Sequence, residues 1–149
     1  MAASRFIVAT DGSEAAQAAC RMAAEMAQAL KPHTVTVVSV VRMGITSSSL
    51  GGGGIIPPDR EHIGKHEELL EKAADEVRGI VTDDSVQVET KLLQSSSPAE
   101  AILAEARGKQ GETHLFIGNR GRGGFAGLIL GSVAQAVLHH ADCPVTVVR

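Results

Sequence analysis

The chain has 149 residues, a length typical of one domain whose core needs neither a metal nor a disulfide. Its net charge is -3 and it has no basic run, which excludes nucleic-acid binding as the main function because that requires clustered Lys and Arg. No apolar run reaches the roughly 18 residues of a membrane-spanning helix, and Cys20 and Cys143 stand in no metal or redox spacing. We therefore expect a cytoplasmic protein with two buried thiols and no membrane partner.

Strand and helix patterns alternate from the start of the chain. The apolar run 6–10 predicts a first strand, followed by a helix that Ser13 can cap and that ends at Pro32. The β-branched run 34–41 predicts a buried second strand. Residues 43–58 contain three consecutive serines and four consecutive glycines, and we expect them to form a flexible loop.

The second half of the chain continues this alternation with a helix that starts near Asp59. A strand is predicted over 86–93. Ser97 and Glu100 form a capping box, in which the serine hydroxyl and the glutamate carboxylate each satisfy a main-chain amide at the start of a third helix. The remaining predicted elements are a strand at 114–117, a helix at 132–140 and a strand at 144–148.

This order predicts a single α/β domain over residues 1–149, with a mostly parallel open sheet and helices on both faces. In such sheets, ligands bind beyond the carboxyl ends of the strands, where the strand order reverses. Two turns are expected there: residues 10–13 after the first strand, and the loop that starts at Gly118 after the fourth. These turns are the predicted ligand site.

The loop after the fourth strand contains six glycines between Gly118 and Gly131. Glycine lets a phosphate approach the main chain, and the helix that begins at Ser132 directs free N–H groups and a positive dipole end towards an anion. Ser132 can add a hydroxyl donor, and Arg120 and Arg122 can supply positive charge. The position between a buried strand and a helix start favours a phosphate site over a flexible linker, the other interpretation of a glycine cluster.

Two common phosphate motifs do not explain this loop. A Walker sequence requires Gly-Lys-Ser/Thr, which the chain lacks. Gly121, Gly123 and Ala126 fit the loose dinucleotide pattern, but that pattern belongs after the first strand. Its acidic ribose partner would have to be Asp142, in a turn beside Pro144. The dinucleotide match is therefore weak.

From Gly118 to Ser132 the chain reads G-x2-G-x9-G-S, which resembles the nucleotide motif of the universal stress protein family. The resemblance extends over nearly the whole chain, because 6–13, 97–102 and 143–148 are similar to the family's opening strand and turn, third helix start and closing strand. It implies a Rossmann-like open five-stranded parallel sheet (adenine nucleotide alpha hydrolase-like) and a homodimer paired through the last strand. Because the motif is complete, the resemblance favours the ATP-binding branch of the family.

The resemblance also implies roles for particular residues. Asp11 and the backbone of Val40 would hold the adenosine. Thr113 departs from the family pattern, which often has Asp there, and Ala9 stands where many members have Pro. The residues implied to line the pocket are Ala9, Thr10 and Ile117, and those implied to carry the ribose and phosphates are Gly118, Gly121, Gly131, Ser132 and Val133.

Other polar residues have plainer interpretations. Asp11 can form an Asx turn at the start of the first helix, which is compatible with a hydrogen bond to a nucleoside. His62 and His66 are four residues apart without an evident third ligand, and we interpret them as a solvated helix face. His139 and His140 are interpreted as partners of a helix dipole.

Three functions are compatible with these observations. The first is a nucleotide-dependent regulatory or stress-response module that holds ATP, with Mg²⁺ on the phosphates, and signals to an unidentified protein partner through a dimer. The second is a slow ATPase or nucleotidyl-transfer enzyme. The third is a dimeric interaction protein with an empty site. We favour the first, because the sequence offers no positioned general base in the loop and no carboxylate pair for metal-assisted hydrolysis, so no catalytic residue is assigned.

Overall fold

The computed structural model describes residues 5–47, 51–107, 112–121 and 129–149. The helices are α1 (Glu14–Leu30), α2 (Arg60–Ile80), α3 (Pro98–Arg107) and α4 (Ser132–His140). The strands are β1 (Arg5–Ala9), β2 (Thr34–Arg42), β3 (Gly44–Ser47), β4 (Gly53–Ile56), β5 (Gln87–Ser95), β6 (Thr113–Gly118) and β7 (Val145–Val148).

Five of these strands form one parallel sheet in the order β5-β2-β1-β6-β7. The strand β1 is therefore central, and the direction of winding reverses between β1 and β6. This arrangement confirms the open five-stranded α/β fold that the alternation of strands and helices predicts. In the described part of the chain, no helix combines the length and apolar character needed to cross a bilayer.

The helices form two layers, with α1 and α2 on one face of the sheet and α3 and α4 on the other. The buried side of α1 consists of alanines and Cys20. Such small side chains let the helix approach β1 and β6 closely, so a dense core forms with few aromatic residues. Two phenylalanines of the described residues, Phe6 and Phe116, are fully buried between the sheet and this layer.

Ser13 caps the start of α1 as predicted, and α2 begins after Asp59, near the predicted position. Ser13 Oγ accepts a hydrogen bond from an amide of the first turn of α1 (3.2 Å), and Asp59 Oδ1 accepts one from the His62 amide (2.8 Å). At its other end, α1 stops at Lys31, whose φ of 53° lies in the left-handed region. The left-handed residue turns the chain directly into β2.

The segment 43–58 differs from the predicted flexible loop. Within it β3 and β4 form an antiparallel hairpin with Gly44 opposite Ile56, while residues 48–50 lie outside the described residues. The Met43 amide also donates to a main-chain carbonyl at the end of β5 (2.9 Å). The prediction from composition was wrong for the paired residues because ladder hydrogen bonds join main-chain groups and need no large side chains.

The start of α3 is capped differently from the prediction. Ser97 Oγ accepts a hydrogen bond from the Glu100 amide at 3.4 Å, as a capping box requires. The Ser97 amide, however, donates to Ser95 Oγ at 3.1 Å. The reciprocal half of the predicted box is wrong, because a serine two residues upstream takes the place of the glutamate carboxylate.

A notch at the carboxyl edge of the sheet arises because β2 extends beyond β1. Ala9 pairs with Val38, and the Thr10 amide donates to the Val38 carbonyl at 2.9 Å. The strand β2 then continues to Arg42, paired on its other side with β5. The space beside this extension of β2 is where the sheet can receive a ligand.

Two glycines test opposite demands of this fold. A methyl group on Gly64, within α2, would meet open space, so Gly64→Ala should raise the free energy of unfolding by about 0.5–1 kcal/mol through helix propensity. A Cβ on Gly118 would lie 2.7 Å from the carbonyl carbon of Ala15 and 2.8 Å from the amide nitrogen of Ala16. Gly118→Ala should therefore lower the free energy of unfolding by about 1–3 kcal/mol. Urea unfolding measures both, and equal stabilities would contradict the close packing of β6 against α1.

Candidate functional site

A cavity of about 550 Å³ opens at the notch between β2 and β6. Pockets for small ligands commonly have volumes of roughly 300–1,000 Å³. Eleven of the twelve site residues proposed from the sequence line it: Ala9, Thr10, Asp11, Val40, Ile117, Gly118, Arg120, Gly121, Gly131, Ser132 and Val133. The twelfth, Arg122, lies outside the described residues. The two turns expected at the carboxyl edge therefore meet around one cavity.

The inner wall of the cavity is apolar and ends in main-chain groups. Ala9 and Ile117 are buried near the ends of β1 and β6, and Val38 is buried on β2 opposite Ala9. The Val38 carbonyl points towards β1, and successive strand residues alternate the side to which their main-chain groups point. The N–H and C=O of Val40 therefore point to the same side, beyond the end of β1. A donor and an acceptor in the plane of the sheet thus border the cavity.

Asp11 forms the predicted Asx turn between β1 and α1. Its Oδ1 accepts a hydrogen bond from the Ser13 amide at 3.0 Å. Gly12 takes a φ of 80°, which favours glycine, and so completes the turn. The Asp11 Oδ2 lies so close to Gly121 that a Cβ there would collide with it. The turn thus holds the carboxylate where the cavity meets the loop after β6.

The N-terminus of α4 forms the opposite wall. Its N-cap, Gly131, offers no side-chain hydrogen bond, and its first turn contains no acidic residue. The Gly131 amide donates to the Asn119 carbonyl (2.6 Å), and Asn119 Nδ2 donates to the Ile129 carbonyl (3.2 Å). Asn119 thereby holds the two ends of the loop together. The first turn, with Ser132 and Val133, borders the cavity with the positive end of its dipole uncapped by a side chain.

Glycine occupies the three positions of the motif for different reasons. Gly118 is required by its packing against α1, and Gly121 by its contact with Asp11. Gly131 has a φ of -72°, which any residue adopts, and the nearest heavy atom to its missing Cβ is 3.4 Å away, an ordinary contact. Within the described residues, neither conformation nor packing demands glycine at position 131. Close approach of a ligand would account for it.

Further residues line the cavity that the sequence did not assign to it: Arg42, His62, His66, Pro98 and Ile102. The interpretation of the histidine pair as a solvated face is wrong for His66, which is half-buried and whose Nδ1 lies 2.8 Å from Ser39 Oγ. Topology indicates that the starts of α2 and α3 lie near the carboxyl edge, because each helix follows a strand of the main sheet that ends there. Periodicity does not indicate which of their residues face the cavity.

A second cavity of about 630 Å³ between α1 and α2 shares Thr10, Asp11, His62 and His66 with the first. Cys20 also lines it but is 1% exposed, and burial raises the pKa of its thiol to about 12. This thiol is therefore protonated at neutral pH, as expected for a structural cysteine. Among the described residues, no group of three or more His, Cys, Asp or Glu side chains is arranged to hold a metal.

The strand order, the two helical layers and the cavity at the carboxyl edge define an open, Rossmann-like α/β protein with a cavity at the point where the strand order reverses. A sequence model of the universal stress protein family matches residues 3–149. The chain therefore belongs to the universal stress protein family.

Individual relatives are similar along their whole length. The "Universal stress protein in QAH/OAS sulfhydrylase 3'region" of Thermus aquaticus is 34% identical over 144 residues, which cover 97% of each chain. The structure of a universal stress protein in complex with cAMP is similar with a TM-score of 0.73 at 21% identity, over 100% of this chain and 98% of that one. The protein from Archaeoglobus fulgidus in complex with dAMP has a TM-score of 0.72 at 24% identity, over 100% of both. At these identities the two structures show a shared fold.

Proposed function

We propose that this protein binds ATP and works as a nucleotide-dependent regulatory or stress-response module. One observation supports this most directly: the uncapped start of α4 and the main-chain groups of Val40 border the same cavity. A helix N-terminus suits an anion, and a paired donor and acceptor suit a base. The cavity thus offers partners for both ends of an adenine nucleotide.

The adenosine end of the proposed ligand belongs beside β2. Val40 contributes a main-chain donor and acceptor, which match an adenine edge where the amino donor adjoins a ring-nitrogen acceptor. Ala9 and Ile117 supply an apolar wall next to it. The carboxylate of Asp11 is an acceptor suited to ribose hydroxyls, and Thr10 lies beside it.

The phosphate end belongs at the start of α4. The amides of the first turn and the Ser132 hydroxyl would donate to phosphate oxygens, and Arg120 and Arg122 would add positive charge. Gly121 and Gly131 leave the main chain accessible to the phosphates. We propose that Mg²⁺ binds through phosphate oxygens and water, a coordination that Mg²⁺ commonly adopts with nucleotides.

The neighbouring structures support an adenine nucleotide as the ligand. They are complexes with cAMP and dAMP, which share the base and one phosphate with ATP. We propose ATP because the complete G-x2-G-x9-G-S motif resembles that of the ATP-binding branch.

We propose that the protein is located in the cytoplasm. The free cysteines, Cys20 and Cys143, suit this reducing compartment.

We further propose that two copies pair through β7 and that the dimer passes the bound state to a protein partner. The strand β7 is an edge of the sheet, and its four residues are half-exposed. The Val148 carbonyl accepts a hydrogen bond from the Asn119 amide after β6 (2.7 Å), so by alternation the main-chain groups of Val145 and Val147 point outwards. An apolar edge strand with outward main-chain groups favours pairing with another strand.

Calorimetric titration with ATP, ADP and AMP, with and without Mg²⁺, tests the proposed ligand. Gly131→Val should weaken ATP binding at least about tenfold, which corresponds to roughly 1.4 kcal/mol, because its side chain would crowd the phosphates. Adenosine, which lacks phosphate, should bind the variant as it binds the wild type. Gly79→Val is the matched control, since Gly79 lies in α2 with open space around it. Equal affinity of ATP for wild type and Gly131→Val would contradict the phosphate site.

We expect slow ATP hydrolysis at most. Asp11 is the carboxylate that lines the described part of the cavity, and its Oδ1 is engaged by the Ser13 amide, so it is poorly disposed to act as a general base. Steady-state turnover should stay below about 1 s⁻¹, the low end of ordinary enzymes. A turnover above that value, lost in Gly131→Val, would favour the ATPase.

The oligomeric state tests the role of β7. Val147→Pro removes an outward N–H without removing a hydrogen bond to β6, and we expect it to convert a dimer to a monomer in light scattering. Val147→Thr, which keeps the N–H and the β-branched shape, should remain dimeric. A monomeric wild type at all concentrations would refute pairing through this strand.

A further inference from the structure

The two histidines of α2 form an ordered pair of rings at the cavity. Their ring centroids are 5.1 Å apart with an interplanar angle of 67°, an edge-to-face arrangement. His66 Nδ1 lies 2.8 Å from the hydroxyl of Ser39, which is 1% exposed. A buried hydroxyl on β2 therefore fixes the orientation of His66, and His66 in turn packs against His62.

The plane of the sheet decides which side chains would face a bound base. Hydrogen bonds between strands lie roughly in the plane of the sheet, so a base bonded to the main chain of Val40 would continue that plane beyond β1. Its two faces would then point to the two helical layers. The layer of α2 contributes His62 and His66 to the cavity, and the layer of α3 contributes Pro98 and Ile102.

Alternation along β2 agrees with this assignment. The side chains of Val38 and Val40 pack with the cluster under α3 and α4. Ser39, between them, therefore points to the opposite layer, where its hydroxyl meets His66. The histidines and the apolar residues of α3 thus lie on opposite sides of the position that the base would occupy.

Other rings are scarce in this protein. The chain has no Trp or Tyr and three Phe. The two Phe within the described residues, Phe6 and Phe116, are fully buried in the core. In the described part of the cavity wall, the imidazoles of His62 and His66 are therefore the ring surfaces available for stacking on a base.

We propose that the His62–His66 pair covers one face of the purine, opposite Pro98 and Ile102, with one imidazole stacked on the base and the other presenting its edge. Ser39 positions the pair through its hydrogen bond to His66. This inference depends on the proposed nucleotide site and adds a base-recognition wall to it. Nucleobases stack readily on His as on other aromatic side chains. The chemical class recognised by this wall is a planar base, whereas the phosphates belong at α4.

Comparison of adenosine with ATP separates contacts to the base from contacts to phosphate. His62→Ala should lower the affinity for both ligands by the same factor, roughly five- to tenfold, which is the low end of the effect of removing a base-stacking ring. His62→Phe should restore most of the affinity for both, because it returns a ring without a charge. His33→Ala is the matched control, since His33 is exposed before β2 at the other end of the sheet. It should bind both ligands as the wild type does.

Proton NMR distinguishes stacking on the base from a purely structural role of the two histidines. Adenosine should shift the ring protons of His62 and His66 upfield through the ring current of the base, and leave those of His33 unchanged. Ser39→Ala should reduce this shift. It should also lower the affinity for adenosine, but less than His62→Ala does, as expected for a positioning residue.

The outcomes distinguish this inference from the proposed function. If wild type binds neither adenosine nor ATP, the proposed nucleotide site is wrong and the stacking wall is wrong with it. If wild type binds both and His62→Ala and His66→Ala bind as tightly, the wall is refuted while the nucleotide site stands. A loss confined to ATP, or a failure of His62→Phe to restore binding, would instead indicate a polar or phosphate contact and overturn the stacking.

Discussion

The early end of β1 at Ala9 is the constraint on which the site depends. If β1 continued beside β2, its main chain would take the hydrogen bonds that Val40 directs into the cavity, and no notch would separate β2 from β6. The chain ends β1 with an Asx turn at Asp11 and a left-handed glycine, Gly12, and α1 begins at once. The same few residues therefore start a helix and open the cavity.

Packing and ligand binding place different demands on a single sequence motif. Gly118 lets the first turn of α1 touch the end of β6, and Gly121 leaves room for Asp11. These two glycines would be needed even by a protein without a ligand, because they build the walls of the cavity. Gly131 is different, since nothing in the described chain crowds it. A match to the motif therefore indicates the fold as much as it indicates ligand binding. Gly131 is the position of the motif that is most informative about function.

The sequence predicts most of the sheet because parallel strands are buried on both faces and therefore appear as apolar runs, such as 34–41. It predicts the two turns of the site because the carboxyl edge follows from topology alone. It fails at His62 and His66, since their place depends on how α2 packs against β2, which periodicity does not reveal. It also fails at the hairpin within 43–58, where main-chain pairing overrides a composition typical of loops.

A ligand held at Val40 and at α4 would connect the two opposite walls of the cavity. Val40 lies on β2, next to the central strand β1, whereas α4 packs with α3 and leads directly into β7. A ligand that binds the folded chain alone stabilises it, by about 2.7 kcal/mol at a hundredfold excess over Kd, and this energy would be shared between both ends of the cavity. Since α4 continues into the edge strand, the start of α4 is the part of the site from which a bound nucleotide could influence pairing at β7. The fold thus offers a short covalent route from the proposed ligand to the proposed dimer interface, which a regulatory module requires and a slow hydrolase does not.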